Sequence, residues 1–167
     1  MGTFKVDHRF PISAEAYWDT LFFDEAFNKK FYLEELGFER YEISDEVTEA
    51  DGSRRRTIES KPKSDMPGAV KKIIGDDLVY LERGRFDAKT KRYIFDIEVP
   101  RFKDKVQIKG AFWVEPDGDE ACRRICEMSV EVKMFGVGGL IEGFIERQTI
   151  ESYDQAAQYT LRTLAAK

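Results

Sequence analysis

The 167-residue sequence predicts one α+β domain in the order β-α-α-β6-α, an antiparallel sheet covered on one side by the last helix. Three observations predict it. Two capped helical segments follow the first strand directly, and the later strands alternate an apolar face with a polar one. A helical stripe of apolar residues then runs from about 139 to 165.

Phe4, Val6, His8 and Phe10 alternate with Lys5, Asp7 and Arg9, the pattern of a half-buried strand, and Pro11 stops it. Ser13 is a good N-cap for a helix through about residue 23, with Tyr17, Trp18, Leu21 and Phe22 on its apolar side. Asp24 can cap a second helix through 36, and Gly37 supplies its stop. A meander follows. Strands at 38–49 and 54–61 flank the turn "ADGS". The stretch 61–75, "KPKSDMPGAVKKIIG", reads as a long loop with one helical turn near 69–73.

Four more strands are expected at 78–86, 92–99, 105–115 and 121–134. Tyr93, Phe95, Ile97 and Val99 share a face, as do Val106, Ile108, Gly110, Phe112 and Val114. In the last strand Cys122, Cys126, Met128, Val130, Val132 and Met134 form the dry face, and Arg124 shares their parity. The closing helix would be ~40 Å long, enough to cross the whole sheet. Ile141, Phe144, Ile145, Gln148, Ser152 and Tyr153 fall near its covering stripe, whereas Glu142, Glu146 and Arg147 belong to the solvated face.

The bulk numbers exclude several classes. A composition that is 42% hydrophobic and 35% charged, with five prolines, argues against disorder. A net charge of −5 leaves no footprint for nucleic acid, so no nucleic-acid partner is expected. One histidine and two cysteines ~13 Å apart along a strand make a poor metal shell and cannot form a disulfide. No cofactor is expected, and cysteine use suits a reducing cytoplasm. No apolar run approaches the ~20 residues of a membrane span. The basic stretches "KPKSDMPGAVKK" and "PRFKDK" could meet an anionic membrane surface transiently. The sequence carries no sign of an oligomeric state.

The segment "KMFGVGGLIEGFIERQTIESY", 133–153, places four glycines where the last strand gives way to the helix. "GVGG" lacks the Lys-Ser/Thr of a phosphate loop, and no strand follows the helix to complete a βαβ unit. Glycine here lets the chain turn sharply and lets the helix start approach the sheet closely.

The opening "FKVDHRFPISAEAYWDTLFFDEAF", the strand "GSRRRTIESKP" and the passage "VEVKMFGVGGLIEGFIERQTIESY" together resemble the START-like (SRPBCC) superfamily, which includes Bet v 1-like proteins and polyketide cyclases. Within it the chain resembles the bacterial DUF2505 proteins. The resemblance spans essentially the whole chain. It implies the helix-grip fold, a curved sheet wrapped around the C-terminal helix, with a deep apolar cavity for a lipid, sterol, polyketide or similar ligand. The superfamily hosts both carriers and enzymes, so fold alone does not settle function.

Candidate cavity residues follow from parity. His8, on the dry face of the first strand, is either a hydrogen-bonded core group or a cavity-wall acid/base that would need a partner. Gln148 and Ser152 put polar groups where a solid core would want apolar ones. In "RRR" at 54–56, Arg54 and Arg56 share one face and Arg55 the other, so at least one guanidinium should approach the dry side. Arg56 and Arg124 are therefore either salt-bridged partners of neighbouring acids or anchors for an anionic ligand head. Tyr17, Phe22, Phe95, Phe112, Met128 and Phe144 complete the expected wall. The expected function is binding or transport of a hydrophobic or amphipathic small molecule. Two alternatives stand beside it: a cyclase, dehydratase or hydrolase with His8 as general base, and an interaction module whose cavity is filled by side chains.

Overall fold

The computed structural model describes residues 2–63 and 65–167; Met1 and Ser64, the latter in the 61–75 loop, lie outside the described residues. Strand β1 (Gly2–Phe10) leads into α1 (Ala14–Tyr17) and α2 (Glu25–Lys30). The side chain of Ser13 accepts from the Ala16 amide and that of Asp24 from the Phe27 amide, so both N-caps form as the sequence predicts. Each helix ends differently from expectation. Trp18–Phe22 and Phe31–Glu35 continue as widened π-helical turns, which no local sequence signal announced.

Six further strands form the meander: β2 (Arg40–Thr48), β3 (Arg54–Lys61), β4 (Tyr80–Asp87), β5 (Arg92–Glu98), β6 (Val106–Pro116) and β7 (Cys122–Val132). Between β3 and β4 lies α3 (Gly68–Ile74), about two turns rather than one. Helix α4 (Gly138–Ala165) closes the chain. All pairings are antiparallel, in the order β1-β7-β6-β5-β4-β3-β2. The first strand therefore pairs with the last, and β1 and β2 are the free edges. This is the curved helix-grip sheet, with α4 resting on its concave side.

Burial follows the predicted faces. Phe4, Val6 and Phe10 are buried in β1, Tyr93 and Phe95 in β5, and Cys122, Cys126, Met128, Val130 and Val132 in β7. Ile125 is an exception, buried on the otherwise polar outer face beside Trp113. The edge strand β2 carries a bulge. The register jumps between Ser44 and Val47, so Asp45 and Glu46 together face Arg56 of β3, and Asp45 takes a positive φ of 50°.

The glycine-rich passage acts as a turn and a close approach. Gly136 adopts φ 77°, open to glycine without strain. A Cβ on Gly138 would stand 2.4 Å from the Val132 carbonyl oxygen, which fixes how tightly α4 leaves β7. Glu142 corrects the solvated-face expectation: its carboxylate accepts from the Val132 amide at 2.8 Å, tying the first turns of α4 to the end of the strand. Both cysteines are buried and free, and burial pushes their thiols up, Cys122 to about 11 and Cys126 to about 12. Among the described residues no helix is long and apolar enough to cross a membrane.

Candidate functional site

Between the concave face and α4 lies a cavity of about 260 Å³. The interior is therefore not packed solid, which overturns the filled-cavity alternative. All seven tyrosines of the chain line it: Tyr17, Tyr32, Tyr41, Tyr80, Tyr93, Tyr153 and Tyr159. Phenol rings give flat apolar wall and a polar tip, so the lining is neither greasy throughout nor wet. The exposed members of the lining, Lys63, Asp65, Asp76 and Gln148, mark its opening beside the middle of α4.

Two glycines set the depth of the floor. Register aligns Arg56, Gly84, Phe95, Gly110, Met128 and Phe4 in one row across six strands. A Cβ at Gly84 would lie 1.8 Å from the Tyr93 hydroxyl, and one at Gly110 2.2 Å from the Phe95 ring. Without those methyl groups the two rings lie along the sheet instead of standing up from it. The space they would have occupied stays open.

Most residues singled out from the sequence line this cavity: Tyr17, Phe22, Arg56, Phe95, Phe112, Arg124, Met128, Phe144, Gln148 and Ser152. His8 does not, and that placement corrects the expectation. It sits half-buried on β1, and Arg124 opposite it on β7 donates through Nη2 to His8 Nδ1 at 2.9 Å. Because a guanidinium can only donate, His8 carries its proton on Nε2 and gives it to Asp154 Oδ1 on α4 at 2.8 Å. The partner that the sequence could not place is thus an exposed carboxylate on the helix, turned away from the cavity.

The two buried arginines have different surroundings. Arg124 also donates to the Tyr153 carbonyl at 3.1 Å and stacks over Phe10 and Tyr153, while its Nε is buried without a hydrogen bond. Arg56 lies over Phe22 at 4.7 Å, and its one hydrogen bond among the described residues is a long one from Nε to the Tyr93 hydroxyl, 3.5 Å. Neither forms an ion pair among the described residues. The neighbouring-strand acids that might have paired with Arg56, Asp45 and Glu46, are exposed at the bulge.

Sequence reasoning missed Glu82. Tyr93 donates its hydroxyl hydrogen to Glu82 Oε2 at 2.8 Å, linking Arg56, Tyr93 and Glu82 in one corner of the cavity. Burial raises the Glu82 carboxyl above the usual range, against the pull of the Arg56 charge and the Tyr93 hydrogen bond. Burial pushes the Tyr93 phenol up as well, helped by the Glu82 charge. Tyr80 is pushed up to about 12 by burial alone, so it and Tyr93 act as neutral hydroxyls. The parity of Phe86 was the available signal, since Glu82, Gly84 and Phe86 share a face.

The family profile described as "Protein of unknown function (DUF2505)" matches residues 5–164. Among curated proteins none matches the sequence. Solved structures share the fold along nearly the whole chain. A START superfamily protein from Mycobacterium smegmatis is 15% identical with a TM-score of 0.64, covering 97% of this chain and 98% of its own. Norcoclaurine synthase from Thalictrum flavum is 15% identical with a TM-score of 0.68, covering 99% of this chain and 87% of its own. It has also been solved in complex with dopamine and hydroxybenzaldehyde. The Zhui aromatase/cyclase from Streptomyces sp. R1128 is 11% identical with a TM-score of 0.64, covering 97% of this chain and 93% of its own.

Proposed function

The chain belongs to the DUF2505 family, and from that premise we propose that it binds a hydrophobic or amphipathic small molecule in the cavity between sheet and α4. One observation carries the reading: the space under α4 is kept open by Gly84 and Gly110 and walled by aromatic rings with polar tips. A ligand with a flat apolar body would bury surface against those rings and find a hydroxyl or guanidinium wherever it carried oxygen. Two of the structural relatives point the same way, one solved with small aromatic molecules and one an aromatase/cyclase. A cyclase or hydrolase using His8 as its base draws no support from the geometry, because the imidazole is committed to Arg124 and Asp154. Entry past the 61–75 loop fits the exposed lining residues Lys63, Asp65 and Asp76.

Native mass spectrometry of freshly purified protein, compared with its denatured mass, tests the reading. The expected result is a co-purifying species of small-molecule mass that leaves on denaturation. Protein that carries nothing and shows no thermal stabilisation with any member of a panel of fatty acids, sterols and aromatic ketides would sink it.

A further inference from the structure

The geometry points to a carboxylate subsite: we propose that Arg56, with Tyr93 and Glu82 beside it, takes the carboxylate of an arene-bearing acid whose ring lies against the tyrosine and phenylalanine walls. The proposal deepens the cavity-binding reading and rests on it.

Arg56 is 7% exposed, yet apart from the long Nε contact its guanidinium donates to nothing among the described residues. Its terminal nitrogens open onto the cavity that Arg56 lines. Phe22, Phe23 and Tyr93 hold it at 4.7, 5.4 and 5.4 Å from their ring centres, which fixes the position of the cation without using its N–H groups. A pre-placed planar fork with spare donors in an apolar site is matched by a carboxylate through paired, charge-assisted hydrogen bonds. A phosphate would bring about two negative charges and three acceptor oxygens to a single guanidinium fork.

Charge accounting agrees. The inner wall carries two guanidinium groups, Arg56 and Arg124, against one carboxyl, Glu82; the other charged lining residues, Lys63, Asp65 and Asp76, are at the exposed opening. An uncompensated buried cation is costly, and an anionic guest removes that cost. Arg124 has committed Nη2 to His8 and the Tyr153 carbonyl and its Nε is buried without a partner, whereas both terminal nitrogens of Arg56 are unbonded among the described residues. Glu82 bears on the site from β4 through the Tyr93 hydroxyl, and burial favours its neutral form, in which it does not repel the guest.

The test uses the full chain with two probes of nearly equal shape, 2-naphthoate and its neutral amide 2-naphthamide, titrated calorimetrically at pH 7. The expected result is naphthoate binding about tenfold tighter than the amide, with Arg56→Met erasing that preference. Glu82→Gln, nearly isosteric, should strengthen naphthoate binding a few-fold at pH 8 by removing the residual negative charge. Equal affinities in the unmodified protein, or a preference for the acid that survives Arg56→Met, would overturn the subsite and leave the cavity reading standing. Should neither probe bind, the subsite for an arene acid falls, while the cavity reading is decided by the native mass and the ligand panel.

Discussion

Arg56 and Arg124 are both inward-facing, both almost fully buried and both stacked on aromatic rings, at 7% and 4% exposure. What separates them is how their donors are used. Arg124 joins three elements: its own strand β7, His8 of β1 and the Tyr153 carbonyl of α4, with His8 carrying the connection on to Asp154. Arg56 joins little beyond a long contact to Tyr93. Burial and charge alone therefore do not tell a structural cation from a binding one. The count of donors still open to space does.

Substitutions should separate the two positions, and the largest effect belongs to Arg124. Arg124→Met leaves His8 Nδ1 and the Tyr153 carbonyl without their donor, and should cost about 3 kcal/mol in urea unfolding. Arg56→Met, which strands no partner, should change stability by less than about 1 kcal/mol in either direction. Equal losses at the two sites would break the comparison.

Next in size is Gly84→Ala, expected to cost about 2 kcal/mol by overpacking, because the new methyl meets the Tyr93 ring that Arg56 and Glu82 hold in place. In a Tyr93→Ala background the same change should cost far less, and the coupling in that double-mutant cycle measures how firmly the floor is set. His8→Ala should cost about 1 kcal/mol while leaving ligand affinity untouched, since the imidazole supports Arg124 from outside the cavity. A loss of binding without loss of stability would instead return His8 to the site.

The smallest effect is a pH slope at Glu82. Burial raises its carboxyl in the folded chain above its ordinary value of 4.5, so the folded state holds the proton more tightly than the unfolded one. Its contribution is fully present below that value and is lost as pH rises through the folded one. Glu82→Gln should thus gain stability relative to the native chain as pH rises above 4.5, and show no gain at pH 4, by urea midpoints across a pH series. A gain that is flat with pH would mean that the carboxyl is not held in a low-dielectric corner.

Much of the architecture was legible because a strand repeats every two residues. Phe112 and Val114, or Cys126 and Met128, announce their side of the sheet without reference to anything distant. The same rule put Arg124 on the parity of the dry face and required at least one arginine of 54–56 to approach it, although charge argued the other way. Glu82 obeys it too, and was overlooked because a carboxylate between Leu81 and Arg83 reads as surface until Gly84 and Phe86 fix the parity. Three features needed coordinates. The π-helical turns at Trp18–Phe22 and Phe31–Glu35 have no local code. The partner of His8 lies 146 residues away on a helix of 28, where small errors of pitch accumulate into a wrong face. Glu142 reaches a strand amide across the very turn its sequence creates. Pairwise contacts of this kind depend on how elements dock, which periodicity does not encode.

The bulge in β2 has a consequence for how copies of the molecule meet. A free edge strand offers unspent amides and carbonyls to any neighbour, and a flat one invites stacking into ribbons. Here the extra residue between Ser44 and Val47 breaks the even spacing, and exposed Asp45 and Glu46 put two negative charges where a second strand would have to dock. Crowded together at high concentration, these molecules should slide past one another at that margin rather than knit.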